Sequence, residues 1–249
     1  MPSTIVYFHA HPDDESISTA GVMRKAAEAG HRTVLVIATD GGLGEEPDGL
    51  LQPGETLVQR RAAETAASAE VLGVARVEFL GYADSGMAGE PTNQAPNAFA
   101  AAPVDEAAQR LAAILQEENA GVLTCYDSYG GYGHPDHIQV HHVGLRAAEL
   151  AGTPRVYQAT MSRDRLAEQI RNQPDAGLPA EAATTWGTPE AEITAAVDVT
   201  PWQKFKRESM RVHASQIYPD SPFLGIDDEA FAYAFGTEWF IGPEGAPDS

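Results

Sequence analysis

The sequence has little of several features that would place it in a special class of protein. Its 249 residues include one cysteine, Cys125, so an intrachain disulfide framework cannot form. Basic residues are scarce: 16 Lys and Arg stand against 36 Asp and Glu, which gives a formal net charge of -20. A field of that sign repels phosphate backbones and anionic lipids. We therefore expect neither nucleic acid nor a membrane as a partner.

Long apolar runs are absent as well. No stretch approaches the roughly 20 apolar residues of a membrane span, and the residues after Met1 lack the basic region and apolar core of a signal peptide. With 43% hydrophobic and 21% charged residues, the composition is that of a globular protein. We expect a cytoplasmic protein with a single domain over residues 1–249, for which a homo-oligomer is possible.

The chain does carry a regular alternation of strand and helix patterns. Short β-branched and aromatic runs predict strands at residues 5–8, 33–39, 77–80, 122–126 and 155–159. Amphipathic or Ala-rich segments predict helices at 16–29, 55–72, 103–119 and 135–151. This alternation predicts a Rossmann-like α/β fold, with a mostly parallel sheet covered by helices on both faces. Three long segments, 40–53, 82–102 and 173–190, are interpreted as functional or mobile loops.

Ionisable side chains are concentrated after two of the predicted strands. The run HAHPDDE at residues 9–15 follows the first strand, and DSYGGYGHPDH at 127–137 follows the fourth. His134 and His137 lie three residues apart at a predicted helix start, so both can project from one side of the turn. In open parallel sheets, ligands bind at the carboxyl ends of the strands. Neighbouring strands would bring the two runs together at that edge.

The mixture of imidazole and carboxylate groups in the two runs suits zinc. Three protein ligands plus a water form a catalytic zinc site, whereas four protein ligands form a structural one. Each run alone is more often an ordinary acidic turn or a helix start. Both runs at matching strand ends favour a metal centre, and we expect Zn²⁺ as the cofactor.

The paired motifs resemble the signature of the PIG-L/LmbE family of zinc-dependent N-deacetylases. HPDDE at residues 11–15 and HPDH at 134–137 carry the resemblance, which covers most of the chain. Arg61 with Glu64 matches the family's R-x-x-E helix, DSGM at 84–87 matches its mycothiol-pathway branch, and Lys206 with HASQ at 213–216 matches a late helix. The resemblance implies a Rossmann-like fold. It also implies hydrolysis that removes an acetyl or other acyl group from a small N-acetylated amino sugar or its conjugate.

The resemblance further implies which residues bind the metal. It assigns zinc to His11, Asp14 and His137, and the role of general base to Asp13. Adjacent residues in a turn can point in different directions. One carboxylate can therefore bind metal while its neighbour faces the attacking water.

Other residues of the two motifs receive roles by the same resemblance. His134 and Tyr132 hold the positions that the family uses for an electrophilic and acid role toward the tetrahedral oxyanion. Asp136 is expected to orient a histidine from outside the ligand set. The roles of Glu15 and His213 stay open: Glu15 could be an ordinary acid of an early helix turn, and His213 could contact the HPDD loop or the substrate.

The substrate side of the site is inferred from three positions. By resemblance, Arg61 and Asp84 contact the substrate, although Arg61 could instead form a surface ion pair with Glu64. Ser18 is assigned to the substrate site because the branch that cleaves mycothiol conjugates has a lysine there, whereas the N-acetylglucosaminyl-inositol deacetylase branch does not. The loop at 45–55 differs from both branches, so a natural-product or cell-wall amino-sugar deacetylase stays open.

Three alternative functions stay in view. A mycothiol-conjugate-type amidase would use the same metal and base. A non-catalytic metal-binding domain would not need Asp13, because the ligand set is complete without it. A nucleotide-binding Rossmann protein would carry G-x-G-x-x-G after the first strand, where this chain has His-Pro-Asp-Asp.

Overall fold

The computed structural model describes residues 2–172 and 178–243. Its strands, numbered in chain order, are β1 (Thr4–His9), β2 (Arg32–Thr39), β3 (Arg76–Tyr82), β4 (Ala120–Tyr126), β5 (Val156–Thr160), β6 (Ala195–Asp198) and β7 (Thr237–Ile241). They form one sheet in the order β3-β2-β1-β4-β5-β7-β6. The first five strands are parallel, and β7 runs antiparallel to both β5 and β6.

Helices connect the strands and cover the sheet. Within the described ranges they are α1 (Asp14–Ser18), α2 (Ala20–Glu28), α3 (Leu57–Leu72), α4 (Val104–Glu117), α5 (Pro135–Ala151), α6 (Arg163–Asn172), α7 (Ala182–Thr185), α8 (Gln203–Val212) and α9 (Asp228–Phe235). No helix in residues 2–172 and 178–243 has both the length and the apolarity for a membrane crossing.

The alternation of side chains along β1 shows how the two faces are filled. Val6 and Phe8 pack in one apolar cluster with residues of α4 and α5, such as Leu111 and Val140. Tyr7 points to the opposite face, in a second cluster that includes Met23 of α2 and Leu72 of α3. Because successive side chains of a strand point to opposite faces, β1 is buried on both sides. The predicted α/β fold with a mostly parallel, doubly covered sheet is confirmed.

Local signals fix the helices that flank the later site. α3 begins with a capping box, in which Thr56 accepts the N–H of Gln59 and the Gln59 side chain accepts the N–H of Thr56. It ends at Gly73, which has a left-handed φ of 75°. α5 has Pro135 at its first position, where a missing N–H costs nothing.

The structure corrects the predicted elements in three places. The helix predicted at 16–29 is broken at Thr19, whose hydroxyl lies 2.9 Å from His9 Nε2 and whose backbone leaves the helical region. The sequence patterns do not predict β6 and β7, because both are short and lie beyond the regular alternation. The segment 173–190 contains α7 as well as loop, and its residues 173–177 lie outside the described part of the chain.

Candidate metal centre and active site

The two motif loops meet between β1 and β4. These strands are paired neighbours, with Ile5 opposite Val122 and Tyr7 opposite Thr124. In the sheet, β2 and β3 follow β1 on one side of this pair, and β5 follows β4 on the other side. Such a reversal of strand order opens a crevice at the carboxyl ends of the strands. The topology therefore explains why runs 120 residues apart build one site.

Three donor atoms in this crevice form a compact triangle. His11 Nδ1 lies 3.3 Å from His137 Nε2 and 3.6 Å from Asp14 Oδ2, and the last two atoms are 3.4 Å apart. Zinc bonds of about 2.0–2.2 Å in a tetrahedron place ligand atoms about 3.3–3.6 Å from one another. The triangle therefore fits a zinc ion with a fourth position left for water or substrate.

Two other sets of possible ligands lie within 4.8 Å of one another, and neither includes Asp14. They are His11, His134 and His137, and His11, Asp84, His134 and Asp136. Both sets contain His134, whose Nδ1 already accepts the N–H of Asp136. In the larger set, His11 Nε2 faces two carboxylates that have other partners. We favour the triangle because its three edges all match tetrahedral ligand spacing.

Asp136 lies behind His11 and is fully buried. Its Oδ2 is 3.1 Å from His11 Nε2 and accepts the backbone N–H of Ser85 at 2.9 Å, while its Oδ1 accepts the Ser85 hydroxyl at 2.5 Å. A carboxylate on the far nitrogen of a ligating histidine fixes the tautomer and the ring orientation. This geometry supports the orienting role that the sequence predicts for Asp136.

Asp84 lies on the same side of His11. Its Oδ1 is 3.5 Å from His11 Nε2 and accepts the backbone N–H of Gly86, and only 8% of its side chain is exposed. The hydrogen bond and the charge of His11, together with the Gly86 N–H, hold the pKa of Asp84 below its usual range despite burial. Asp84 therefore neighbours the metal ligands, and substrate contact stays a prediction.

The charges of the triangle suit a cation. Burial lowers the pKa of His137 to about 4, so its ring is neutral at pH 7. Burial disfavours the ionised form of Asp14, but His137 and His11 outweigh it and hold the pKa of Asp14 well below its usual range. Burial also opposes charge on His11, yet its hydrogen bonds to Asp136, Asp14 and Asp84 raise its pKa well above the usual value. The carboxylates that stabilise a proton on His11 would stabilise a divalent cation at the same place.

Asp13 adopts an unusual backbone conformation. With φ at 99° and ψ at -28°, it lies in the left-handed region, where a residue other than glycine is strained by roughly 1–3 kcal/mol. Its Oδ2 lies 3.3 Å from Arg61 Nη2 and belongs to no edge of the donor triangle. Burial raises the pKa of Asp13 to about 6, against the lowering effect of Arg61 and with a further rise from Asp14.

Arg61 is a buried residue of α3 and not part of a surface ion pair. Its Nη2 donates to the Pro12 carbonyl at 2.5 Å, and its Nη1 donates to the Gly41 carbonyl at 2.7 Å. Gly41 has a φ of 62°, and a Cβ there would lie 2.6 Å from that Nη1, so another residue would strain the backbone and displace the guanidinium. The alternative pairing with Glu64 is wrong, because both Glu64 oxygens accept hydrogen bonds from Ser215. These contacts indicate that Arg61 positions the Pro12–Asp13 turn, and its substrate contact stays a prediction.

The rings of His134 and Tyr132 lie beside those of two members of the triangle. The ring centroid of His134 is 4.7 Å from that of His11, and that of Tyr132 is 4.8 Å from that of His137. His134 Nδ1 accepts the Asp136 N–H at 3.1 Å, so a neutral ring carries its hydrogen on Nε2. Burial lowers the pKa of His134, and burial with nearby carboxylates raises that of Tyr132. Both side chains are therefore hydrogen-bond donors at neutral pH.

The structure also adds residues that the sequence patterns miss. Tyr126 ends β4, stacks on His137 with ring centroids 4.8 Å apart, and its hydroxyl lies 2.7 Å from His9 Nδ1. Trp186 lies against Tyr132, with centroids 5.7 Å apart. The one available signal for Tyr126 is its place as the last residue of a strand at the site edge. Ser18 ends α1 at a half-buried position, and its assignment to the substrate stays a prediction.

The amino-acid sequence is similar to those of known proteins. The PIG-L family model, described as GlcNAc-PI de-N-acetylase, matches residues 6–148, which is more than half of the chain and includes both motifs. A 1D-myo-inositol 2-acetamido-2-deoxy-alpha-D-glucopyranoside deacetylase from Acidothermus cellulolyticus is 38% identical over 97% of this chain and 89% of that relative.

Solved structures share the fold. N,N'-diacetylchitobiose deacetylase from Pyrococcus horikoshii matches with a TM-score of 0.62 and 23% identity, over 96% of this chain and 83% of that one. The 4-carboxy-2-hydroxymuconate hydratase of Pseudomonas putida matches with a TM-score of 0.64 and 18% identity, over 99% and 98% of the two chains. At these identities the similarity shows a shared fold alone, and a shared fold does not establish a shared reaction.

Proposed function

The chain belongs to the PIG-L family of de-N-acetylases, and from this membership we propose a zinc-dependent hydrolase that removes the acetyl group from an N-acetylglucosaminyl-inositol. The relative at 38% identity that carries this substrate in its name supports the choice. The cytoplasmic location and the possible homo-oligomer stay predictions of the sequence.

The observation that carries the proposal is the position of Asp13 beside a complete set of metal donors. His11, Asp14 and His137 supply three ligand atoms, so a metal-binding domain would not need a second carboxylate beside Asp14. Yet Asp13 is retained next to them in a strained conformation and with a pKa of about 6. A carboxylate with a pKa near the working pH is suited to accept a proton during turnover.

The residues of the site account for the protons of amide hydrolysis. Asp13 accepts a proton from the attacking water, whose oxygen then bonds to the amide carbon. His134 Nε2–H and the Tyr132 hydroxyl donate hydrogen bonds to the oxygen that becomes negative in the tetrahedral state. As the carbon–nitrogen bond breaks, the proton that Asp13 took from the water passes to the amine nitrogen. Acetic acid, which ionises to acetate in solution, and a free amino sugar leave, and Asp13 is ionised again. A zinc ion held by the triangle would supply Lewis acidity and lower the pKa of a water.

The experiment is an acetate-release assay with purified protein. The panel contains the N-acetylglucosaminyl-inositol, N-acetylglucosamine and N,N'-diacetylchitobiose, and the zinc content is measured for each preparation. The wild type should release acetate and the free amine in equal amounts. Asp13→Asn should keep its zinc and its KM, while its kcat falls by roughly 10²–10⁴ because a general base contributes that much.

A matched control is Asp198→Asn, which changes an exposed carboxylate whose hydrogen bonds, within the described part of the chain, go to Thr200. It should leave kcat within about twofold, the scatter expected for a surface change. Absence of acetate release from every sugar, or full activity in Asp13→Asn, would contradict the proposal. A preference for the chitobiose would keep the reaction and replace the substrate.

A further inference from the structure

The strained turn at Asp13 is held by contacts on every side of its peptide. Its N–H donates to Glu15 Oε2 at 3.1 Å, and its carbonyl accepts the N–H and the hydroxyl of Ser16 at 2.9 and 2.7 Å. The preceding carbonyl, of Pro12, is held by Arg61. A strained backbone conformation persists only where its surroundings over-determine it. Each of these contacts therefore helps to set where the Asp13 carboxylate lies.

Glu15 is the contact that reaches furthest into the protein. Its side chain is fully buried, and its two oxygens have different partners. Oε2 accepts the N–H of Asp13, whereas Oε1 lies 2.6 Å from His213 Nε2 and accepts the Ser68 hydroxyl at 2.5 Å. The Ser68 hydroxyl is in turn 2.8 Å from that of Ser209. One carboxylate thus connects the turn of the base to α3 and to α8.

The direction of these bonds follows from the chemistry of the groups. An ionised carboxylate only accepts, so His213 must carry a hydrogen on Nε2 and donate it to Glu15. His213 caps the C-terminal end of α8 and is itself fully buried, and it lies 198 residues from Glu15 in the sequence. Its Nδ1 has no hydrogen-bond partner among the described residues. The imidazole therefore serves one contact, the one to Glu15.

We propose that Glu15 and His213 are positioning residues for the base: His213 fixes the Glu15 carboxylate, and Glu15 holds the Asp13 peptide in its left-handed conformation. This inference rests on the proposed function, in which Asp13 is the base. Neither residue touches the donor triangle in the contacts above, so metal binding does not depend on this pair. His213, at the C-terminal end of α8, thereby helps to place the Asp13 carboxylate near the amide carbonyl.

The chain offers a matched control on the same helix. Lys206 of α8 lies 2.6 Å from Glu238 of β7, and both side chains are buried as deeply as His213 and Glu15. Glu238 accepts the N–H groups of Gly21 and Val22 at the start of α2, and among the described residues it makes no hydrogen bond to the Asp13 turn. Loss of either pair leaves a buried carboxylate without its charged partner, so both losses destabilise the fold. Only the loss of the His213 pair should alter the base.

The test compares His213→Leu, His213→Gln and Lys206→Met with the wild type, at a temperature where all four are folded. Kinetics use the best N-acetylated sugar of the panel, and zinc content and melting temperature are measured in parallel. His213→Leu should lower kcat roughly 10- to 100-fold with KM and zinc unchanged, because a misplacement of about 1 Å costs on that order. His213→Gln retains an N–H donor and should recover most of kcat. Lys206→Met should lower the melting temperature comparably and keep kcat.

Ser68→Ala removes one of the two donors to Glu15 Oε1 and provides a milder variant if His213→Leu does not fold. It should lower kcat in the same direction by a smaller factor. An unchanged kcat in His213→Leu, or in Ser68→Ala where that variant is used, would overturn the inference while Asp13→Asn still upholds the proposed function. Equal losses in His213→Leu and Lys206→Met, or loss of zinc in His213→Leu, would overturn it too. A wild type with no activity on any sugar would overturn the proposed function, and the inference with it.

Discussion

The two ends of the parallel strands differ in how deeply their charged side chains are buried. At the carboxyl end, Glu15 and Asp136 are fully buried, and each is held by partners from distant parts of the chain. At the amino end, Arg32 of β2 and Arg76 of β3 share Glu118, which follows α4, at 2.6 and 2.9 Å. The Arg32 side chain is 47% exposed, so water screens much of that network.

This contrast distinguishes the buried charged groups near the candidate site from the partly exposed ion pairs at the surface. Burial of several carboxylates and a strained residue at one end reduces stability, and proteins tolerate such a cost where function requires it. The amino end has an open hollow of about 630 Å³, lined by residues such as Ser3, Arg32 and Gln116. Among the described residues, the His and carboxylate clusters that could hold a metal lie at the carboxyl end. The hollow at the amino end is therefore not one of the places where these clusters could hold a metal.

The largest expected effect at the carboxyl end comes from His137→Ala. Because this removes one of three metal donors, the variant should lose bound zinc and, with it, all measurable acetate release. Its far-ultraviolet circular dichroism should stay that of the wild type, since the sheet does not depend on the ligand. Zinc analysis after dialysis gives the direct measurement. One zinc per chain in this variant would refute the ligand triangle.

A smaller loss is expected from Arg61→Lys. A lysine keeps the charge, but a single ammonium cannot reproduce the fork to Pro12, Gly41 and Asp13. One lost charge-assisted hydrogen bond is worth about 1.5–3 kcal/mol, which corresponds to roughly tenfold to a hundredfold in kcat. We expect kcat to fall while KM changes little. A raised KM with normal kcat would instead favour the substrate contact that the sequence predicts for Arg61.

Asp13→Gly should increase the stability of the fold, because the backbone strain that Asp13 causes at the carboxyl end is removed. Glycine adopts φ of 99° without strain, so relief of about 1 kcal/mol is expected in the free energy of unfolding, together with loss of activity. Urea titration of the zinc-free protein provides the measurement, since bound metal would mask the difference. A variant less stable than the wild type would show that the Asp13 contacts outweigh its backbone strain.

The fold was predictable in outline because its main signals are local. Continuous apolar strands such as 33–39 and a helix end at Gly73 carry their own evidence in neighbouring residues. The break at Thr19 was not predictable, because it coincides with a contact to His9 that exists only in the folded chain. The antiparallel β7 likewise depends on the exposed edge of β5, which a local pattern does not contain. The single domain over residues 1–249 stays a prediction.

The site was predictable where two short motifs converge, and less so where distant partners decide a role. Asp13 and Asp14 are adjacent carboxylates, and only the fold shows that Asp14 joins the donor triangle while Asp13 turns toward Arg61. The pair of Glu15 and His213 spans 198 residues, so no spacing rule connects them. Sequence patterns therefore predict the candidate ligands better than the residues that hold them.

The smallest expected effect lies at the amino end, where Glu118→Gln should leave kcat unchanged. Hydrogen bonds and charge from Arg32 and Arg76 hold the pKa of Glu118 at about 2, against 4.5 when unperturbed. Because the folded-state pKa is the lower one, this stabilisation is fully present above about pH 4.5 and fades as the pH falls toward 2. For a partly exposed network it should amount to about 1 kcal/mol or less. Urea titrations are made at about pH 7 and at about pH 3.5, roughly one unit below the unperturbed pKa. The difference in unfolding free energy between wild type and variant should be smaller at the lower pH. The control is Glu149→Gln, which breaks an exposed pair with Arg146 on α5. A gap that widens with acid, or a loss of activity, would mean that the two ends of the sheet are not separated in function.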